Sequence, residues 1–196
     1  MKIAIAAPRR RDQQREDTRN RVFEAALAEF RRVGFADAQV SRIAEAAGVA
    51  HGTFFFHFPS KDHVLQEVQR RGELRIVDRL AGLRRRPRSI RALLERIIDA
   101  VLAEETALGS ALLREILGVQ LRIPPAAPTA VTAAVAALIA DAARRGEVRG
   151  DVSPEQLADV FFAAVFGLLL RLVESPGERR PGLQALVDVL VRGMAP

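Results

Sequence analysis

Apolar residues recur at three- and four-residue intervals along nearly the whole 196-residue chain, the period of helices that bury one face. The first pattern runs from Thr18, read as an N-cap, to Val33, with Val22, Ala25, Ala26, Leu27 and Phe30 on one side and Gly34 as its end. Val40, Ile43, Ala44 and Ala47 make a second, short stripe. Gly48 stops it in a left-handed conformation, and Val49 re-enters the core. A third pattern, equally short, occupies Ala50 to Phe56. Ser60 caps a fourth helix, with Asp62 in its first turn where the helix dipole favours negative charge. Val64, Leu65, Val68, Leu74, Val77 and Leu80 carry that helix through Gly72 as far as Leu83.

Five more helices follow: Ser89 to Ala103; Leu108 to Ile123, stopped by Pro124 and Pro125; Pro128 or Thr129 to Arg145; Ser153 to Glu174; and Gly182 to Arg192, after a break at Ser175-Pro176-Gly177. Ser153-Pro154-Glu155-Gln156 has the order of a capping box, with proline at the first helical position. No run of alternating β-branched residues bounded by hairpin turns interrupts this series. The fold class expected is all-α, about nine helices and no sheet.

The stretch from Gln39 to Lys61, QVSRIAEAAGVAHGTFFFHFPSK, has the layout of a helix-turn-helix, with the motif over residues 39–58. In that motif the N-terminal residues of the second helix meet base edges in a DNA major groove. Gly52 permits close backbone approach, Thr53 offers a hydroxyl to a phosphate or a methyl to a thymine, and Arg42 reaches for a phosphate or guanine. His51 and His57 are read as facing DNA, and Phe54 and Phe58 as core.

Thr18, Ala25–Ala26, Phe30, Gly34–Phe35, Val40, Ile43–Ala44, Ala47–Gly48–Val49, Gly52–Thr53, His57–Phe58 and Ser60–Lys61 fall in order and without a gap. On these residues the segment 17–68 resembles the DNA-binding domain of the TetR family of bacterial transcriptional regulators. The resemblance implies DNA contact at Thr53, His57 and Lys61, and dimerisation through the last two helices. Ala50 and His51 stand where that family usually has a serine cap and a lysine, and Phe54-Phe55-Phe56 replaces a Leu-Tyr-polar run. Phe55 therefore presses on a sugar or thymine methyl, where the family's tyrosine hydroxyl would meet a phosphate.

Charge sharpens this division. Residues 1–88 hold 19 Lys+Arg against 11 Asp+Glu, whereas residues 89–196 hold 11 against 13, within an overall net charge of +6. A basic first part joined to a mildly acidic second part suits a polyanion-binding module on a partner domain. Arginine outnumbers lysine 28 to 2, which also fits a GC-rich genome. The expected organisation is a flexible basic arm over 1–15 that includes Arg9, Arg10, Arg11 and Arg15, a DNA-binding domain over 16–76, and a ligand-binding and dimerisation domain over 77–196. Arg84, Arg85, Arg86 and Arg88 make the boundary loop. The absence of Cys fits a reducing cytoplasm. The opening MKIAIAAPRRR has the wrong order for a secretory signal, and the longest apolar run, Val160 to Leu170, is too short to span a bilayer.

In the second half, Leu112, Leu113, Ile116, Leu117, Val131, Val135, Leu138, Phe161, Phe162, Val165 and Phe166 either line an apolar cavity or form solid core. The ligand-binding candidates are Leu113, Arg114, Leu117, Gln120, Phe162 and Phe166, with Glu115 and Arg122 as further polar anchors. Ala163 and Gly167, with Leu183, Leu186 and Leu190, suggest a four-helix dimer interface.

The function expected is a homodimeric regulator, a repressor, that binds a palindromic DNA operator and is released by a small apolar or amphipathic effector. The rival is an architectural DNA-binding or membrane-surface protein that senses nothing. Enzymatic chemistry is not expected: there is no Cys or Tyr, and His51, His57 and His63 all lie beside the helix-turn-helix. Their six-residue spacing across two helix junctions does not aim three imidazoles at one point, so neither metal nor cofactor is expected.

Overall fold

A computed structural model of the protein describes residues 10–82, 87–124 and 127–195. Among them lie nine α-helices and no strand: α1 (Arg10–Val33), α2 (Val40–Ala46), α3 (His51–His57), α4 (Lys61–Ala81), α5 (Ile90–Leu108), α6 (Ser110–Arg122), α7 (Ala130–Arg144), α8 (Pro154–Arg171) and α9 (Pro176–Met194). The chain forms two compact units that divide between Leu65 and Gln66, inside α4.

The first unit is built around α1. Val22, Phe23, Ala26, Leu27 and Phe30 bury one face of that helix, and Ile43, Ala44, Phe54, Phe58, Val64 and Leu65 complete the core. Gly34 at φ 84° ends α1, its N–H donating to Phe30 O at 3.0 Å. Gly48 at φ 65° ends α2: its N–H donates to Glu45 O and the Val49 N–H to Ala44 O, both at 3.0 Å. That paired closure is a Schellman motif, and a side chain at Gly48 would strain it.

The structure corrects the start of α1. The helix begins at Arg10, so residues 10–15 of the expected arm are helical, and only residues 1–9, with Arg9, lie outside the described residues. Thr18 is no N-cap, because its Oγ1 donates to Gln14 O at 2.8 Å inside the helix. The physical reason is that apolar periodicity reports burial. Arg10 to Asp17 are all exposed, so this turn carries no apolar stripe, yet it holds neither Gly nor Pro and has Asp12 in its first turn.

In the second unit α8 packs on α7 and α9, and α9 also packs on α5. Leu94, Ile97, Ile98, Val135, Ile139, Phe161 and Leu183 sit at its centre. Ser89 and Thr129 cap α5 and α7, and the Ser153–Gln156 capping box is formed at both ends. Of the expected boundary loop, Arg84, Arg85 and Arg86 lie outside the described residues.

The last helix also differs from expectation. It starts at Pro176 and passes through Pro181. Arg179 explains the extra turns. Its buried guanidinium donates to Leu172 O at 2.9 Å, to Ser110 Oγ at 3.0 Å and to Val173 O, and it pairs with Glu105. Proline at the first helical position is tolerated, and this anchor holds the following turn in place.

Candidate nucleic-acid interface and effector cavity

α3 is a seven-residue helix fixed from below by Phe54 and Phe58, which are 0% and 1% exposed. Its opposite side carries exposed His51, Gly52, Phe55 and Phe56, with Thr53 and His57 half-buried at the edge. Ala50 provides no side-chain cap, as its chemistry requires. Arg42 is exposed on α2. Six of the expected contact residues, Arg42, His51, Gly52, Thr53, Phe55 and His57, therefore share the surface of the helix-turn-helix.

Lys61 is different. Its Nζ donates to Phe35 O at 2.7 Å and to Ala36 O and Ala38 O, each at 3.0 Å, and lies 4.9 Å from the Phe35 ring centroid. All three ammonium donors are spent on the turn between α1 and α2. Lys61 thus ties the two helices together, and a role as a phosphate-seeking side chain conflicts with this bonding. Ser60 Oγ stands 2.8 Å from His63 Nδ1, so that histidine too is engaged locally.

The aromatic surface extends further than Phe55. Phe56 is 66% exposed, and the Arg15 guanidinium lies 5.2 Å from its ring centroid. Arg19 sits 4.7 Å from the Phe58 ring. Burial holds the His57 imidazole below its usual pKa, and Arg15 and Arg19 push in the same direction against Glu16. Phe56 and Arg15 were not among the residues expected here. The run of three phenylalanines signalled an exposed ring, since one short helix cannot bury all three.

Glu29, at the end of α1, accepts two hydrogen bonds from Arg32 at 2.8 Å and lies against the backbone N–H of Gln39, the N-cap of α2. The Arg32 hydrogen bonds hold its carboxyl below the usual range, and the charges of Arg32 and Arg42 add to them. Glu29 thus accepts from the backbone N–H of the N-cap residue itself, while Gln39's own side chain makes no capping bond.

In the second unit a cavity of about 360 Å³ opens among α4, α5, α6, α7 and α8. Leu113, Leu117, Gln120, Phe162 and Phe166 all line it, with Ile116, Val131 and Val165, whereas Val135 and Phe161 of the same apolar set are solid core and Leu138 packs against that core. Arg114 does not line it: that side chain is exposed and pairs with Glu174. The ridge that turns Leu113 and Leu117 inward turns Arg114 to solvent. Three glutamates, Glu73, Glu104 and Glu105, stand in the wall. Sequence periodicity hid them, because they occupy helix positions that a solvated face would also fill.

The residues expected to pair subunits divide between the surface and the core. Ala163 and Gly167 are exposed on α8, between exposed Val160 and Leu170 at helical spacing. Leu186 and Leu190 are half-buried against the subunit core, and Leu183 is 0% exposed within it. Val189, 67% exposed, is the apolar residue that α9 presents outward. No helix among the described residues is long and apolar enough to cross a membrane.

A family model for bacterial regulatory proteins of the TetR family matches residues 22–68, the stretch that holds α2, α3 and their braces. The HTH-type transcriptional regulator SrpR of Pseudomonas putida is 45% identical over 53 residues, which cover 27% of this chain and 25% of that protein. The HTH-type transcriptional regulator TtgR, also from Pseudomonas putida, is 28% identical over 86% of both chains. Among solved structures, Thermus thermophilus FadR, a TetR-family transcriptional repressor crystallised with lauroyl-CoA, is 31% identical. That likeness covers 91% of this chain and 95% of FadR at a TM-score of 0.69. The chain belongs to the TetR family of bacterial regulatory proteins: it is a transcriptional regulator with a DNA-binding domain, and its relatives are regulators and not enzymes.

Proposed function

We propose that the protein acts in the bacterial cytoplasm as a homodimeric repressor that binds a palindromic operator and releases it when a small amphipathic molecule fills the cavity of the second unit. The observation that carries this reading is the exposed, rigidly braced face of α3, set in one compact unit, with an apolar cavity of about 360 Å³ in the other. His51, Gly52, Thr53 and Phe55 read the major groove, and Arg42 and His57 contact the backbone. Val160, Gly167, Leu170 and Val189 form the face that pairs with a second copy.

The helix α4 belongs to both functions. Lys61 braces the first unit, while Gln69, Gly72, Glu73 and Ile76 of the same helix line the cavity. An effector that favours one placement of Gln69–Ile76 thereby biases the DNA-reading unit, and it need only bind the two states unequally. That FadR was crystallised with lauroyl-CoA, an acyl thioester, supports an effector with an apolar body. Selection of bound duplexes from a random pool, at fixed salt, tests the reading. Recovered sequences are expected to contain inverted half-sites about one helical turn apart. Equal affinity for recovered and scrambled duplexes would overturn it.

A further inference from the structure

The head group of the effector is written in the wall of the cavity. Its apolar lining comes from residues such as Ile76, Leu117, Phe162 and Phe166, and its polar lining from Gln69, Glu73, Glu104, Glu105, Gln120, Thr129 and Thr132. Among the described residues that line it there is no Lys, Arg or His. A carboxylate or phosphate placed here would find amide and hydroxyl partners but no cation, beside three acids.

The three glutamates are not equivalent. Glu104 is matched by Arg75 at 2.7 Å and Arg79 at 3.0 Å. Glu105, 6% exposed, gives one oxygen to Arg179, while its Oε2 is buried and has no hydrogen-bond partner. Glu73 is bonded only by neutral groups among the described residues: Gln69 Nε2 donates to it at 2.9 Å, and the Thr129 hydroxyl is its other partner. A buried carboxylate oxygen without a donor is costly, and it is relieved by a donor that arrives with the ligand.

We infer that the effector is an amphipathic amine, whose protonated nitrogen is taken by Glu73 and the open oxygen of Glu105 while its hydrocarbon part fills the apolar side. This assignment rests on the effector reading above and deepens it. Burial holds the Glu73 carboxyl above its usual pKa, against the hydrogen bonds of Gln69 and Thr129. An ammonium beside it supplies the charge partner that its surroundings lack.

Calorimetric titration of the full chain with decylamine, decanol and decanoate, each below its aggregation concentration at neutral pH, tests the head group with the tail held constant. Decylamine is expected to bind at least tenfold more tightly than decanoate. Glu73→Gln, which keeps shape and hydrogen bonding, is expected to remove most of that preference; a circular dichroism spectrum and melting transition like those of the native chain report that the variant is folded. Equal binding of the three ligands, tighter binding of decanoate, or an undiminished amine preference in Glu73→Gln would overturn the amine assignment and leave the effector reading standing. Failure of all three to bind would overturn both.

Discussion

Lys61 Nζ donates to Phe35 O at 2.7 Å and stands 4.9 Å from the centre of the Phe35 ring, so the first residue of α4 clasps the turn that follows α1. Phe35 in turn meets Phe30 edge-on, at a centroid distance of 5.2 Å, which passes the clasp into the core of the DNA-binding unit.

This clasp predicts the behaviour of Lys61→Met. Loss of a charged donor to three carbonyls is expected to cost on the order of 2 kcal/mol of stability, measured by chemical denaturation. The dependence of DNA affinity on salt should keep its slope. A slope reduced by about 0.9 would instead assign Lys61 to a phosphate.

Neighbouring phenylalanines of α3 should separate stability from binding. Phe54 is 0% exposed, and Phe54→Ala is expected to destabilise the protein by about 3–5 kcal/mol. Phe55 is 44% exposed, and Phe55→Ala is expected to leave the melting temperature nearly unchanged and to weaken specific DNA binding in a gel-shift titration.

His57 gives a pH dependence of defined sign. Burial and the charges of Arg15 and Arg19 hold its folded pKa below the ordinary 6.5. The unfolded chain therefore takes up a proton first as pH falls. Stability from this group is fully present above the unfolded value and is lost between it and the lower folded one. Denaturation midpoints measured through that interval should fall for the native protein and fall less for His57→Gln.

Subunit pairing is expected to depend on the outward faces of α8 and α9. Gly167→Arg and Val189→Glu should yield folded monomers by analytical ultracentrifugation, because both positions are exposed in the subunit. Leu183→Ala acts elsewhere: with that side chain wholly buried, the expected result is a loss of about 2–5 kcal/mol of stability.

The helix-turn-helix was legible residue by residue because local rules govern it: glycines at Gly34 and Gly48 where positive φ is needed, and buried Ile43, Ala44 and Phe54 at helical spacing. The first turns of α1 were not legible, since a helix with no buried face leaves no periodic trace. The surroundings of Arg114 and Leu183 were not legible for a related reason. Periodicity names a face but not its neighbour, and a helix between two partners has more than one inner side.

Amino-acid order by itself settled that the chain is helical, where most helices begin and end, and which short segment has the form of a DNA reader, because caps, glycines and apolar spacing act over a few residues. Tertiary structure alone decided that Lys61 is spent on the carbonyls of Phe35, Ala36 and Ala38, that Arg179 anchors the first turns of α9, and that Glu73 and Glu105 face one cavity. The Lys61 bonds join residues 23 to 26 positions apart and the Arg179–Ser110 bond joins residues 69 apart, and only packing brings such side chains within bonding distance.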